Sequence, residues 1–597
     1  DRLDPMTPQQ YVVSQPDSFH KDLPYETVLP LQRPTVLCSD GSLGILLELE
    51  PLQHEAMPIE AVNAAVVTAG KEVCRIRSSQ AVVQVILDTQ PAWAFDPEHQ
   101  VDEGSGPGRI VAKRIEALEG RAGMRERTDD PLKWPRTLRR RLYVALRWQA
   151  PKRLGLDRVH KGLWRGSPSG TVQRMAESFE RLNVDLQEAA DSLEGGLSRE
   201  FKLRRCDATD LLMLLRRGFH SEKALRDLAA LHAPYDPSRP LRDQVLIEPV
   251  GMAASGVELG GEDTWEVLSW VKRPDSVHVG TMTGLGALEE SHRVVVTVRP
   301  HEVGSASELA KDGLLALARD ERSVRIRDDR GAVRDRVEVG EHLVMTSVVA
   351  LIRNAGVNLE GLRDHTIGRT MSGRLERLLG LPFTHDRLGA SAFFLATLPF
   401  NYTLVTDTML KRERWALTLD LACLLPLHGG FRGTGPKRRT VPMVSRAGTP
   451  MWLSPWTSET APHVAVLAAT GGGKSFFVQL LLMSMAAENP ATRFWIIDKK
   501  TSYRVAAELI GDDGGGFLFA RPPQSYPNVW RGKLEGPRAK DRVNLLVSML
   551  RAAVQLETPS ARLEGNHNEL LGAAIREAYV QMEREATRQV EGLARAG

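Results

Sequence analysis

Apolar and polar positions in the first quarter of the chain predict a mixture of strands and helices. The stretch PTVLCSDGSLGILLELE places a polar SDGS turn between two apolar runs, which predicts a β-hairpin over 34–49. A helix over about 58–73, a strand over 81–89 and a further strand at 142–146 follow. Strands and helices in this order indicate an α+β domain, which we place at residues 1–165.

The middle of the chain combines both periodicities. The predicted elements are helical segments at 170–235, about 305–380 and 414–427, and short strands at 243–250, 265–273 and 292–300. Asp207 stands directly before an apolar helical pattern and is a candidate N-cap. The loop GGFRGTGPKRRT at 429–440 is rich in glycine and basic residues, so we place the end of a mixed middle region, residues 166–435, at this loop.

A different pattern follows this loop. The run HVAVLA (463–468) predicts a short buried strand, and TGGGKS (470–475) is a glycine loop. FFVQLLLMSMAAE (476–488) predicts a helix that is apolar on nearly every face, so both of its sides should be covered. RFWII (493–497) predicts a second buried strand that ends at Asp498. Two more helical patterns, at about 539–555 and 562–590, complete the chain.

A glycine loop between a buried strand and the helix that follows it is the setting of a phosphate-binding P-loop. Successive glycines let backbone N–H groups converge on an anion, and the helix N-terminus adds partial positive charge. Lys474 would reach the β- and γ-phosphates, and the Ser475 hydroxyl would coordinate Mg²⁺. Ala468 occupies the place of the pattern's first glycine, where a methyl group is tolerated. The predicted nucleotide-binding residues are Ala468, Thr470, Gly471, Gly472, Gly473, Lys474, Ser475 and Phe476, with Lys474 and Ser475 as catalytic residues and Ser475 as the metal ligand.

Composition restricts the class of protein more than its function. With 597 residues, 42% hydrophobic and 26% charged, the chain is long enough for several globular domains. The formal net charge is only +3, so any nucleic-acid site must be local. The four cysteines form no C-x-x-C pair and suggest neither a disulfide framework nor a zinc site. The most apolar run, 416–427, is too short to cross a bilayer and is interrupted by Asp420 and Pro426.

Residues 136–165 are the most basic segment of the chain and carry interspersed tryptophans. The cations are Arg136, Arg139, Arg140, Arg141, Lys152, Arg153, Lys161 and Arg165, with Trp148 and Trp164 between them. Such a segment can bind the backbone of a nucleic acid and stack its bases, or it can bind an anionic membrane surface. It can equally be a solvated end of an element that leads into the strand at 142–146. The sequence leaves these alternatives open.

Together, these motifs resemble the TraC-type ATPases of conjugative type IV secretion systems. The resemblance rests on the ATGGGKS loop and the following IIDKKTSYRVAAELIG, with SDGSLGILLELEPL and VPMVSRAGTPMWLSPW upstream, and it covers most of the chain. It implies a RecA-like P-loop NTPase domain at 440–597 that uses ATP and Mg²⁺. It also implies a homo-oligomer, expected to be a hexamer, which lies at the cytoplasmic face of a bacterial inner membrane. That hexamer would contact the channel subunits and energise pilus or channel assembly and DNA or protein transfer.

One part of the family pattern is missing. A RecA-like motor holds Mg²⁺ with an aspartate that ends an apolar strand, usually beside a glutamate. In the relatives the aspartate of IIDKKTSY, here Asp498, belongs to a separate feature, and the acidic pair lies further along the chain. No segment between residues 517 and 597 has the pattern of an apolar strand that ends in Asp-Glu. Either the sequence is a fragment, as its start at Asp1 and its end within a helical pattern favour, or the acids have been lost.

We therefore expect an incomplete ATPase domain that binds ATP but hydrolyses it slowly. Two alternatives to a secretion motor remain open. One is a DNA-translocating ATPase of the coupling-protein or chromosome-translocase type, although coupling proteins usually carry N-terminal membrane helices. The other is an assembly scaffold that uses bound nucleotide only to hold a conformation.

Overall fold

A computed structural model describes most of the chain, and its contacts divide the chain into two compact units, residues 1–513 and 514–597. The described residues are 23–31, 33–95, 101–123, 136–149, 169–272, 274, 276–300, 335–337, 339–362, 365–403, 410–434, 440–457, 461–498, 502–511, 534–536, 539–557 and 565–596. The first unit contains a large sheet and the glycine loop. The second contains a pair of helices.

In the described part of the first unit, thirteen strands form one antiparallel sheet. The strands are β1 (Tyr25–Pro30), β2 (Pro34–Cys38), β3 (Leu43–Leu49), β4 (Ala81–Pro91), β5 (Leu138–Trp148), β6 (Leu203–Arg205), β7 (Val250–Ala253), β8 (Gly256–Leu259), β9 (Asp263–Trp270), β10 (His292–Pro300), β11 (Leu343–Ala355), β12 (Phe383–His385) and β13 (Arg414–Leu417). Their order is β1-β2-β3-β5-β4-β10-β11-β9-β8-β7, with β6 beside β3, β12 beside β9 and β13 beside β11. Strands from 1–165 and from 166–435 therefore share one sheet. The boundaries drawn from the sequence remain predictions.

Helices cover both faces of this sheet. They are α1 (Ile59–Arg75), α2 (Gly106–Gly120), α3 (Ser169–Leu197), α4 (Ala208–Phe219), α5 (Glu222–Asp227), α6 (Leu359–Leu362), α7 (His365–Leu379), α8 (Ala390–Ala396) and α9 (Thr418–Leu424). Apolar residues of α1, α3, α7 and α9 form one core with the sheet, and those of α4 and α8 form another. The central strand β4 contributes Val85 and Leu87 to the first core and Ile86 to the second, because successive side chains of a strand point to opposite faces.

A charged network lies inside the sheet, at the position where β4 carries Asp88. The Asp88 carboxylate accepts hydrogen bonds from Nε of Arg293 at 2.9 Å and from Nε of Arg217 at 2.8 Å. Asp88 and Arg293 are fully buried. Burial opposes ionisation of Asp88, but the two guanidinium groups outweigh it and lower the pKa of this carboxyl well below its ordinary value. The network is therefore a structural feature of the core, in which both arginines pair with Asp88 and only Nη1 of Arg293, among the buried guanidinium nitrogens of these two arginines, has no hydrogen-bond partner.

Several predicted elements are confirmed. The 34–49 hairpin forms as β2 and β3, with Gly41 in the left-handed region at φ 80°. The helix at 58–73 forms as α1, and the strand at 81–89 forms as β4. Asp207 caps α4 through a reciprocal capping box with Asp210, which pairs the first N–H groups of the helix.

Three predictions in the middle region are wrong. The helical stretch predicted at about 305–380 contains the strand β11. The valine-rich segment of β11 pairs with β10 on one side and with β9 on the other. Residues 301–334 lie outside the described residues. The helix drawn at 414–427 begins as β13 and becomes helical only at α9. In the strand predicted at 243–250, only Val250 lies in a strand, β7; the first residues end a 3-10 helix, Leu241–Gln244, and the rest are irregular. In each case the pairing available from neighbouring strands, rather than local periodicity, decides the structure.

The described part of the chain after the sheet contains a β-hairpin and four α-helices. These are β14 (Val441–Val444) and β15 (Pro450–Leu453), then α10 (Lys474–Glu488), α11 (Arg504–Gly511), α12 (Ala539–Glu557) and α13 (Gly565–Ala596). Helices α12 and α13 confirm the predictions at 539–555 and 562–590. Within the second unit, they pack through a small core that includes Val543, Leu546, Ile575 and Tyr579.

Candidate nucleotide-binding site

The glycine loop leads directly into α10. Gly471 and Gly473 have φ values of 82° and 79°, a region that residues with a side chain rarely adopt. A Cβ atom at either position would meet no atom within 4 Å, so backbone conformation, not crowding, requires glycine here. The Gly472 N–H donates to the Ala469 carbonyl at 3.0 Å, which closes the turn before the helix. The three glycines thus shape a tight loop immediately before Lys474.

The N-terminus of α10 suits an anion. Its N-cap is Gly473, and no side chain caps the helix there. The first N–H groups of a helix have no partner within the helix, and the helix dipole adds positive charge at this end. Lys474 is exposed, and Ser475 is half-buried in the first turn. The arrangement leaves room and donors for a phosphate group, and the assignment of Lys474 and Ser475 to phosphate and Mg²⁺ stays a prediction.

The body of α10 is fixed to the first unit. Leu480, Met483 and Ala486 are buried, and the helix packs against α2 and β14. At its C-terminal end, the Thr440 hydroxyl donates to Glu488 Oε2 at 2.6 Å. The helix is therefore anchored along one side and at its far end, while the loop at its N-terminus stays exposed.

The two strands predicted beside the loop do not form. Residues 463–468 and 493–497 pair with no strand in the described part of the chain. Leu467 is 92% exposed and Trp495 is 96% exposed. An apolar run becomes a strand only beside another strand that accepts its backbone hydrogen bonds. The expectation that α10 is covered on both sides is also wrong, because Phe476 is 63% exposed.

A polar link that the sequence pattern does not predict connects α10 with Ser502 and, through it, with Asp498. Nε2 of Gln479 donates to the Ser502 carbonyl at 2.9 Å. The Ser502 N–H in turn donates to Oδ2 of Asp498 at 2.8 Å. The available signal was a glutamine in a helix that is otherwise almost entirely apolar, four residues after Ser475.

The described part of the basic segment is mostly built into the fold. The Arg140 guanidinium is 3% exposed and donates to the Ala447 carbonyl at 2.5 Å; burial lowers its pKa to about 10. Arg136 is paired with Glu222 at 2.5 Å, and Trp148 lies in β5. The second half of the segment, including Lys152, Arg153, Lys161, Trp164 and Arg165, lies outside the described residues.

The loop and its helix fall within a segment that resembles a known ATPase domain. Residues 456–540 match the family model described as the Helicase HerA central domain. This match indicates a P-loop ATPase domain of the HerA type, which also occurs in FtsK and in TraC-type secretion ATPases. It includes every predicted nucleotide-binding residue, from Ala468 to Phe476. No curated protein shows a significant match to the chain.

Two further observations concern the described residues. None of their helices combines the length and the apolar character that a bilayer crossing requires. No group of three or more His, Cys, Asp or Glu side chains among them is arranged to hold a metal ion.

Proposed function

We propose that the chain is an ATP-binding and ATP-hydrolysing motor subunit of a bacterial type IV secretion or conjugation apparatus. The observation that carries the proposal is a loop with two left-handed glycines at an uncapped helix N-terminus, followed by Lys474 and Ser475, inside a HerA-type segment. The resemblance of the upstream segments to TraC-type ATPases supports the secretion role. In the structure these segments are ordered elements, the β2–β3 hairpin and the β14–β15 hairpin.

The residues of the loop have distinct tasks in this proposal. The backbone N–H groups of Gly471 and of 473–475 bind the phosphates, while that of Gly472 closes the turn, and Lys474 adds a cationic hydrogen-bond donor. The Ser475 hydroxyl is one ligand of Mg²⁺. The Mg²⁺-bound nucleotide supplies the phosphoanhydride bond whose cleavage releases energy. A RecA-like arrangement of 440–597 belongs to the same proposal. It rests on the order of apolar run, glycine loop, helix and apolar run in the sequence and on the HerA-type match, because the two apolar runs pair with no strand among the described residues.

In this proposal, the region that contains the large sheet attaches the ATPase region to the secretion channel. We assign residues 1–435 to docking on the channel subunits at the cytoplasmic face of the inner membrane, with the ATPase region assembled as a hexamer. An additional contact with anionic lipid or nucleic acid would use the basic segment. Because several of its described arginines are engaged in the fold, the residues from 150 to 165 are the better candidates for that contact.

A DNA-translocating ATPase is the second candidate, because the matching family model describes the central domain of a helicase. Phosphate release with and without double-stranded DNA separates the two candidates. For a secretion motor we expect slow release that DNA does not change and that Lys474→Ala abolishes. A several-fold stimulation by DNA, lost in Lys474→Ala, would favour the translocase. Release that is unaffected by Lys474→Ala would contradict both.

A further inference from the structure

Gln479 lies on the same face of α10 as the predicted metal ligand. Residues four apart in a helix are neighbours on its surface, and Gln479 follows Ser475 by four positions. Its side chain is half-buried, and its Nε2 donates to the Ser502 carbonyl at 2.9 Å. Gln479 therefore fixes the segment that contains Ser502 to the Ser475 side of the helix.

The same segment is bonded to a carboxylate. The Ser502 N–H donates to Oδ2 of Asp498 at 2.8 Å. Gln479, Ser502 and Asp498 thus form a continuous chain of hydrogen bonds that begins on α10. Helix α11 starts two residues after Ser502 and packs against α10 as well, which supports the same placement. A carboxylate at the end of this chain is tied to the helix face that carries the Ser475 hydroxyl.

We propose that Gln479 is a positioning residue that holds the Asp498 carboxylate on the Ser475 side of α10, where Asp498 contributes to Mg²⁺ binding at the nucleotide site. Hydroxyl and carboxylate oxygens are the ligands that this hard cation prefers. The inference rests on the proposed nucleotide-binding function. It revises the expectation from the sequence, which set Asp498 apart from the metal because of its position in the chain. Hydrogen bonds between side-chain and backbone atoms link Asp498 to α10 through Ser502. Such bonds cannot be predicted from the order of residues in the chain.

The test measures the affinity for a fluorescent ATP analogue with Mg²⁺ and with EDTA. In the parent chain Mg²⁺ should strengthen binding. Asp498→Asn should remove most of this enhancement while binding in EDTA stays equal or improves, because a negative charge near the phosphates is lost. Gln479→Met keeps the size of the side chain but removes the donor, so it should lower the Mg²⁺ enhancement by about 2- to 10-fold, the usual value of one hydrogen bond.

Gln581→Met is the matched control, because Gln581 is an exposed glutamine on α13. It should leave both affinities unchanged. A purely structural role of Gln479 would weaken binding equally with Mg²⁺ and with EDTA, which would overturn the proposal. An intact Mg²⁺ enhancement in Asp498→Asn would also overturn it. Absence of nucleotide binding in the parent chain would instead contradict the proposed function, so the two failures are distinguishable.

Discussion

Two apolar runs of similar character have opposite environments in this protein. The run AVVQVILDT forms β4, where Leu87 is fully buried between the sheet and its helices. The run HVAVLA before the glycine loop is not a strand, and its Leu467 is 92% exposed. Both runs have the composition of a buried strand. The difference lies in what surrounds them.

The strand β4 lies between β5 and β10, which pair with its backbone on both edges. Residues 463–468 have no pairing strand among the described residues. Composition therefore identifies segments that are able to form strands, whereas distant parts of the chain determine which of them do. The candidate chemistry follows the same division, because the predicted nucleotide-binding residues lie beside the exposed run and not in the paired sheet.

The largest contrast that we expect is in how much two matched truncations, one in each run, lower the free energy of unfolding. Leu87→Ala leaves a cavity in the core and should lower the free energy of unfolding by about 2–5 kcal/mol. Leu467→Ala removes an exposed side chain and should change it by no more than about 0.5 kcal/mol. Urea unfolding of the two variants measures both values. A cost at Leu467 equal to that at Leu87 would show that 463–468 is buried in solution.

A buried carboxyl in the sheet predicts a pH dependence of stability. Burial raises the pKa of Glu266 in β9 to about 7, and its only described partner is Nδ2 of Asn354, at 3.4 Å from Oε2, while Oε1 has none. Because the folded-state pKa is above the ordinary value of 4.5, the folded state binds the extra proton, and stability falls as pH rises from about 4.5 to 7.

Glu266→Gln removes this titration. At pH 8 the variant should be more stable than the parent by up to about 3 kcal/mol, and at pH 5 the difference should shrink markedly. Thermal unfolding at the two pH values checks the prediction. An equal change at both pH values would mean that Glu266 does not titrate in this range. Nucleotide affinity serves as a control, because Glu266 lies in the sheet and not at the loop.

The smallest expected effect concerns the basic segment. Charge reversal at Lys152 and Lys161 should weaken association with phosphatidylserine vesicles or with DNA several-fold, and the association should fall steeply with salt because counterions are released on binding. The matched control reverses Lys71 and Lys113, two exposed lysines of α1 and α2. Equal binding by the two double variants would show that the basic segment binds neither lipid nor DNA specifically, and would favour a segment whose charges are only solvated.

The sequence predicts local features of this fold better than distant ones. The hairpin at 34–49 and the cap at Asp207 depend on residues close together in the chain, and both form as predicted. The strand β11 was predicted as helix because its pairing with β9 and β10 depends on residues that lie 44 to 92 positions away. At the candidate site, the glycine loop was predictable because it is a local motif. The bond between Gln479 and Ser502 was not, because it depends on how two helices pack.

The central claim is that the glycine loop binds a nucleoside triphosphate. The most direct measurement is a titration of the folded chain with a fluorescent ATP analogue, comparing Lys474→Ala with Arg493→Ala, which removes an exposed cation beyond the C-terminal end of α10. Loss of a charge-assisted bond to phosphate is worth about 1.5–3 kcal/mol, so Lys474→Ala should weaken binding by about 10- to 150-fold while Arg493→Ala has little effect. Unchanged affinity in a folded Lys474→Ala variant would contradict the assignment of the loop.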